Sequence, residues 1–126
     1  MPPVRSGSLS AAFRFAALGI VYVLRTQRNM RIHVCAAGGV LILAALLGVS
    51  RVEVAVLLLC ILAVLTLEML NTVVEAVVDL ATEQYHPLAK VAKDVAAGAV
   101  LVMAIGAAAI GLLILGPPLV QALGGS

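Results

Sequence analysis

"VAVLLLCILAVLTLEMLNTVVEAVVDLA", Val54 to Ala81, decides how this chain is built. The part up to Leu67 is nearly unbroken hydrocarbon. The part beyond it carries Glu68, Asn71, Thr72, Glu75 and Asp79 among valines and leucines. No Gly or Pro interrupts the segment, so one helix is predicted to run through Ala81. With Glu68 set at zero and about 100° per residue, Asn71 falls near about −60° and Thr72 near about +40°. On the same wheel Glu75 lies near about −20° and Asp79 near about +20°. Glu83 would join the sector only if the helix reached it. The polar groups form one stripe, while Met69, Leu70, Val73, Val74, Val77 and Val78 stay apolar.

The rest of the chain has the same character. Its 126 residues are 63% hydrophobic and 11% charged, with a mean hydropathy of +1.20. A soluble domain of this length has too little interior to hide so much apolar surface. An all-α membrane protein is therefore expected. The aromatic share is 3% with no Trp, so the usual interfacial belt is thin. Cys35 and Cys60 both lie in apolar runs, which suits small buried hydrophobes better than a disulfide or a metal site.

Charge is distributed unevenly. Arg5, Arg14, Arg25, Arg28 and Arg31 precede the first apolar run, and Lys90 and Lys93 lie between the second and third. Arg51 alone lies between the first and second. The positive-inside rule places the N-terminus in the cytoplasm and, with three spans, the C-terminus outside. Charges recur through Arg31 with no short apolar core before them, so a secretory signal peptide is not expected.

Met1 to Ser8, with two Pro, a Gly and two Ser, is expected to be loose. Leu9 to Met30 reads as a basic amphipathic helix for the membrane surface: Arg14, Arg25 and Arg28 share one face, and Phe13, Ala16, Ala17, Ile20 and Leu24 lie toward the other. A three-span unit follows over residues 31–116. Its first span is His33 to Val49, and Gly48 to Glu53 is a tight external turn. Val54 opens the second span, and Thr82 to Lys90 is an internal loop whose Pro87 begins the next helix. The third span covers about residues 94–115, is ended by Gly116-Pro117-Pro118, and leaves residues 117–126 as a short tail. It is rich in Ala and Gly, which let helices approach closely in lipid. Three short spans make a thin bundle, so a homo-oligomer is expected.

The stripe has two readings. A wet helical face outside the membrane accounts for Asp79 and Glu83. It does not account for Glu68, since intramembrane ionisable groups face a bundle interior and mark functional sites. Carboxylates one or two turns apart can act as base and as ligand of a divalent cation. Lys90, Lys93 and Asp94 open the third helix, where a Lys and a helix N-terminus both favour phosphate. Mg²⁺ takes one or two carboxylates plus phosphate oxygens, so the set suits Mg-ATP at the cytoplasmic face. A carboxylate base there would deprotonate an alcohol. There is no G-x-x-x-x-G-K-[ST] loop and no G-x-G-x-x-G, so P-loop and protein-kinase machinery are excluded.

"EMLNTVVEAVVDL" followed by "YHPLAKVAKDVAAGAV" closely resembles the prokaryotic diacylglycerol kinase and undecaprenol kinase family of small integral membrane kinases. The pattern E-x-x-N-[ST]-x-x-E-x-x-x-D, then a His, then A-K-D-x-x-[AS]-x-A-V, is present in full, and the likeness covers about residues 9 to 115. It implies a homotrimer of three-span protomers with a surface helix, in a bacterial cytoplasmic membrane. It also implies transfer of the ATP γ-phosphate to a lipid hydroxyl, with Mg²⁺. No nucleic-acid partner is expected. Carried over by motif position, Glu68 is the general base and Glu75 a metal ligand. Asn71, Asp79, Tyr85, His86, Lys93 and Asp94 hold the nucleotide or order the site. The family usually has a Glu before the Arg-Asn pair as second metal ligand; here Gln27 stands there, neutral but still able to coordinate. "RNMRIH", Arg28 to His33, looks more like the undecaprenol branch, while the resemblance leaves the lipid-binding residues unassigned.

Two rivals are weaker. A transporter would want charge near the midplane with access from both sides, whereas these carboxylates run to one interface. A non-catalytic membrane subunit leaves Glu68 and the Lys93-Asp94 pair without a purpose.

Overall fold

The computed structural model describes residues 7–125 and is all helical among them. Residues 1–6, and with them most of the expected loose start and Arg5, lie outside the described residues. Four helices follow in order: α1 (Leu9–Thr26), α2 (Arg28–Leu47), α3 (Arg51–Ala81) and α4 (Pro87–Gly124). All four are long and apolar enough to cross a membrane by length and composition.

Helix α1 starts on Ser8, whose hydroxyl accepts from the Ala11 amide at 3.2 Å. It ends four residues earlier than the expected Met30. Gln27 is extended (φ −106°, ψ 110°), and Arg28 restarts the helix, so Arg28 to Met30 belong to the spanning segment. The corner is held from the far side. The Arg31 guanidinium donates to the carbonyls of Leu24 at 3.1 Å and Arg25 at 2.9 Å. These are C-terminal carbonyls of α1, which have no amide partner within the helix. A cation there also complements the negative end of the helix dipole. Only Val23 of α1 is buried.

The turn between α2 and α3 is tighter than expected, because α3 begins at Arg51 rather than Val54. Gly48 takes a left-handed conformation (φ +65°), which a side chain would strain. The Val49 amide then reaches back to the Ala44 carbonyl at 3.3 Å. Ser50 and Glu53 form a reciprocal capping box: the Ser50 hydroxyl accepts from the Glu53 amide, and the Glu53 carboxylate accepts from the Ser50 amide, each at 3.2 Å. Two of the first-turn amides that a helix leaves unpaired are thereby satisfied.

Helix α3 runs unbroken to Ala81, as its sequence predicts, and packs most extensively on α4, then on α2. Its buried residues are Leu57, Cys60, Val64, Glu68 and Thr72, spaced by three or four and so on one face. The inward face is hydrocarbon at one end and polar at the other. At the apolar end Ala44, Leu57 and Leu115 form a buried cluster backed by Val40, Leu43, Leu47, Val49 and Ile114. Of the two thiols, Cys60 is buried as expected, whereas Cys35 is exposed.

Helix α4 continues past Gly116-Pro117-Pro118, which were expected to stop it. Pro117 and Pro118 lie inside it, and it continues to Gly124. The two prolines remove the amides that would bond to the Leu113 and Ile114 carbonyls. Apolar membrane-type helices tolerate that loss where neighbouring groups can relieve it. Residues 117–124, expected as part of a short tail, are thus helical.

Candidate active site

Glu68 is 3% exposed, and its carboxylate has no hydrogen bond or ion pair to any described residue. Among the described residues only Asn71 Oδ1 is a fully enclosed side-chain polar atom without a partner, so the Glu68 carboxylate stays open to the space beside it. One turn on, buried Thr72 donates its hydroxyl to the Glu68 carbonyl at 3.0 Å and leaves the carboxylate alone. Asn71 is half-buried, and its Oδ1 is a buried acceptor without a donor among the described residues. Glu68 and Asn71 face a cavity of about 330 Å³ between α2, α3 and α4. Asn29 and His33 line it from α2, and Ala97 and Ala104 from α4.

Asn29 and His33 were not assigned from sequence. They are four apart at the head of α2, hence on one face. The signal was an i, i+4 pair of uncharged polar side chains at the head of a helix that is apolar beyond His33. What it could not give was the side of α2 that meets α3.

The remaining stripe residues lie farther along α3. Glu75 is half-buried and Asp79 exposed. Asp79 Oδ1 accepts from Lys93 Nζ at 2.6 Å, which ties the end of α3 to the start of α4. Lys90 pairs with Asp94 within α4. Between the helices, Thr82 closes a short turn: its hydroxyl donates to the Gln84 carbonyl at 3.0 Å and accepts from the Gln84 amide at 3.2 Å. Glu83 thus lies past the helix end and off the stripe. His86 caps α4, its Nδ1 accepting from the Leu88 amide at 3.1 Å. Tyr85 is 80% exposed beside it.

Apart from Glu75, midway along the stripe, the expected residues form three groups. Glu68 and Asn71 share the cavity. Asp79, Lys93, Asp94, Tyr85 and His86 gather where α3 gives way to α4. Gln27 sits at the α1–α2 corner, its Nε2 donating weakly to Thr26 Oγ1 at 3.4 Å. Among the described residues no three of His, Cys, Asp and Glu converge as a metal cage. The hard oxygen donors Glu75 and Gln27 nevertheless suit Mg²⁺, which is completed by water and phosphate oxygens rather than by an all-protein shell.

Comparison with known proteins finds a family and named relatives. The prokaryotic diacylglycerol kinase family matches residues 14–115. A protein of Synechocystis sp. named diacylglycerol kinase is 49% identical over 115 residues, covering 90% of this chain and 66% of that protein. A protein of Bacillus subtilis named undecaprenol kinase is 47% identical over 108 residues, covering 86% of this chain and 88% of that protein. The chain thus spans just under two thirds of the first relative and most of the second. With a family match over most of its length and two relatives near half identical, the chain belongs to the prokaryotic diacylglycerol kinase family.

Proposed function

We propose that this chain phosphorylates the hydroxyl of a membrane lipid at the cytoplasmic face, with undecaprenol favoured over diacylglycerol. The single observation that carries the reading is Glu68, a 3% exposed residue whose carboxylate has no partner among the described residues and faces a cavity beside Asn71. The lipid oxygen attacks the γ-phosphorus of ATP, and the bond to the β-phosphate oxygen breaks. ADP leaves, and the hydroxyl proton passes to Glu68. Asn71 Oδ1 accepts a hydrogen bond and so orients what enters. Lys93, with Asp94 and the start of α4, meets the nucleotide phosphates as a compact positive charge. Asp79 holds Lys93 in place until they arrive. Tyr85 and His86 border that region.

Helix geometry supports the placement. A hydrocarbon core of about 30 Å takes about 20 residues at 1.5 Å each. Counted from Arg51, that reaches the neighbourhood of Leu70. Glu68 then lies where a lipid hydroxyl resides, and Glu75 and Asp79 lie in the headgroup and water layers with ATP. Helix α1, with one buried residue, lies on the membrane surface in this arrangement, and α2, α3 and α4 span it. The N-terminus is cytoplasmic and the C-terminus outside. Three protomers assemble, which brings separated groups such as Gln27 and the stripe of a neighbour within reach of one another.

Glu75 and Gln27 would hold Mg²⁺, which supplies charge neutralisation for the phosphates when bound. Gln27→Glu adds a charged ligand, so the Mg²⁺ concentration for half-maximal activity is expected to fall several-fold. An unchanged Mg²⁺ titration would remove Gln27 from the metal site.

The deciding assay offers undecaprenol and diacylglycerol separately, with Mg-ATP, to the protein in bilayers. Phosphorylation of undecaprenol at the higher kcat/KM is expected. No turnover of either alcohol by folded protein would overturn the kinase reading.

A further inference from the structure

The break at Gln27 has no local cause. Sharp kinks arise at Pro, at Gly/Ser pairs, or where a side chain enters the hydrogen-bond ladder. No Gly or Pro lies between Gly19 and Gly38. The ladder runs up to Gln27, whose amide donates to the Val23 carbonyl at 2.9 Å, and resumes where the Arg31 amide donates to the Gln27 carbonyl at 3.4 Å. In an unbroken helix the Leu24 and Arg25 carbonyls would take the amides of Arg28 and Asn29. Here they take Arg31 Nη1, at 3.1 Å and 2.9 Å. A terminal guanidinium nitrogen carries two hydrogens, one for each carbonyl. The side chain stands in for two amides that the break removes.

Two shapes therefore compete for residues 9–47. Straight, they form one helix, and Phe13 stands about 20 Å beyond Gln27, away from the bilayer. Bent, α1 packs on α2 and touches α3, and its apolar face lies on the membrane. Backbone hydrogen bonding alone favours the straight form. The charge-assisted bonds from Arg31 exist only in the bent one. The bend also fixes Gln27 at the elbow, two residues before Asn29, which lines the Glu68 cavity.

We infer that Arg31 is a positioning residue for the reaction: its guanidinium occupies the two carbonyls at the end of α1, selects the bent form, and so holds Gln27 and Asn29 beside the catalytic cavity. The inference rests on the kinase reading and the surface placement of α1 above. Arg31 acts through the elbow, not through its charge on a substrate.

Arg28 supplies a rescue that tests this. It is the first residue of α2, where a proline forfeits no helical hydrogen bond. A proline there also forces the preceding residue into the extended conformation that Gln27 already has, φ −106° and ψ 110°. Arg28→Pro thus fixes the break without the clamp.

The protein has no Trp, so Phe13→Trp gives a single reporter on the apolar face of α1. The full chain carrying it is placed in vesicles whose acyl chains bear bromine just below the headgroups. Emission and quenching are measured beside the rate of lipid phosphorylation. Blue-shifted, strongly quenched emission is expected with Arg31 intact. In Arg31→Met the emission is expected to move to the red and quenching to fall below about half. Its kcat/KM for ATP should drop about 10- to 100-fold, as positioning is lost. Adding Arg28→Pro to Arg31→Met should restore the quenching and bring the rate to within about threefold of Arg28→Pro alone. A purely electrostatic role for Arg31 gives no such rescue, because the double variant has lost two positive charges. Parental quenching and rate in Arg31→Met, a double variant as impaired as Arg31→Met, or solvent-like emission with Arg31 intact would overturn the proposal. If Arg31→Met fails to fold, the double variant decides: it is expected to fold and be quenched, and its failure overturns the proposal too. Absence of turnover by the parent counts against the kinase reading instead, and the quenching comparison then decides the elbow.

Discussion

Glu68→Gln is expected to lower lipid phosphorylation by about 10²- to 10⁴-fold, the usual worth of a positioned general base. Size and shape are conserved, and the neutral carboxamide is cheaper to bury than an unpaired carboxylate. The variant should therefore fold and assemble as well as the parent, or better. Its KM for ATP should change little, because Glu68 faces the cavity with Asn71 and not the Lys93 end of the site. The measurement is initial rate against ATP and against lipid alcohol, with thermal stability in the same detergent. A variant with more than a tenth of parental kcat would remove Glu68 from the base role. A fall in stability would show that the carboxylate has a structural partner in the assembled protein.

The periodicity of the second apolar segment carried most of this before any coordinates. A 3.6-residue repeat put Glu68, Asn71, Glu75 and Asp79 on one face, and α3 buries that face from Leu57 through Thr72. The start of α4 at Pro87 was legible too, since Pro suits the first helical turn. Other boundaries were not. Gln27 breaks the chain between α1 and α2 without Gly or Pro, and the corner depends on a guanidinium reaching back to Leu24 and Arg25. That is a tertiary contact, invisible to local propensity. Pro117 and Pro118 misled in the opposite direction, because a rule drawn from soluble helices overstates their power to stop an apolar one. Within the site, the partnership of Glu68 with Asn29 and His33 needed the packing angle of α2 on α3. Sequence could name each residue's own helix face, but not which two faces meet.

The pair at the other end of the stripe gives the second large effect. Lys93 and Asp79 are 2.6 Å apart, with side chains 42% and 67% exposed. An ion pair that open to solvent contributes little to folding, so its members can be removed without unfolding the protein. A conserved fold and a damaged active site are thus separable outcomes here. Lys93→Met keeps the length of the side chain and deletes the charge that meets the nucleotide phosphates. Its kcat/KM for ATP should fall about 10²- to 10³-fold, in the range seen when one group that stabilises developing charge is lost. Most of the loss should appear at low ATP, as a raised KM, if Lys93 binds the ground-state phosphates as well as the transition state. Lys93→Arg should recover part of the activity, since the charge returns on a different, planar head. Lys90→Met, three residues earlier and engaged with Asp94, serves as the comparison for a general loss of positive charge. Equal effects of Lys90→Met and Lys93→Met would mean that the field of the helix start, not Lys93 itself, attracts ATP. Asp79→Asn separates holding from binding. With its tether neutralised, Lys93 remains free to find phosphate, so the loss should be no more than about tenfold, well short of the charge deletion itself. A loss as large as that of Lys93→Met would place Asp79 directly on the nucleotide.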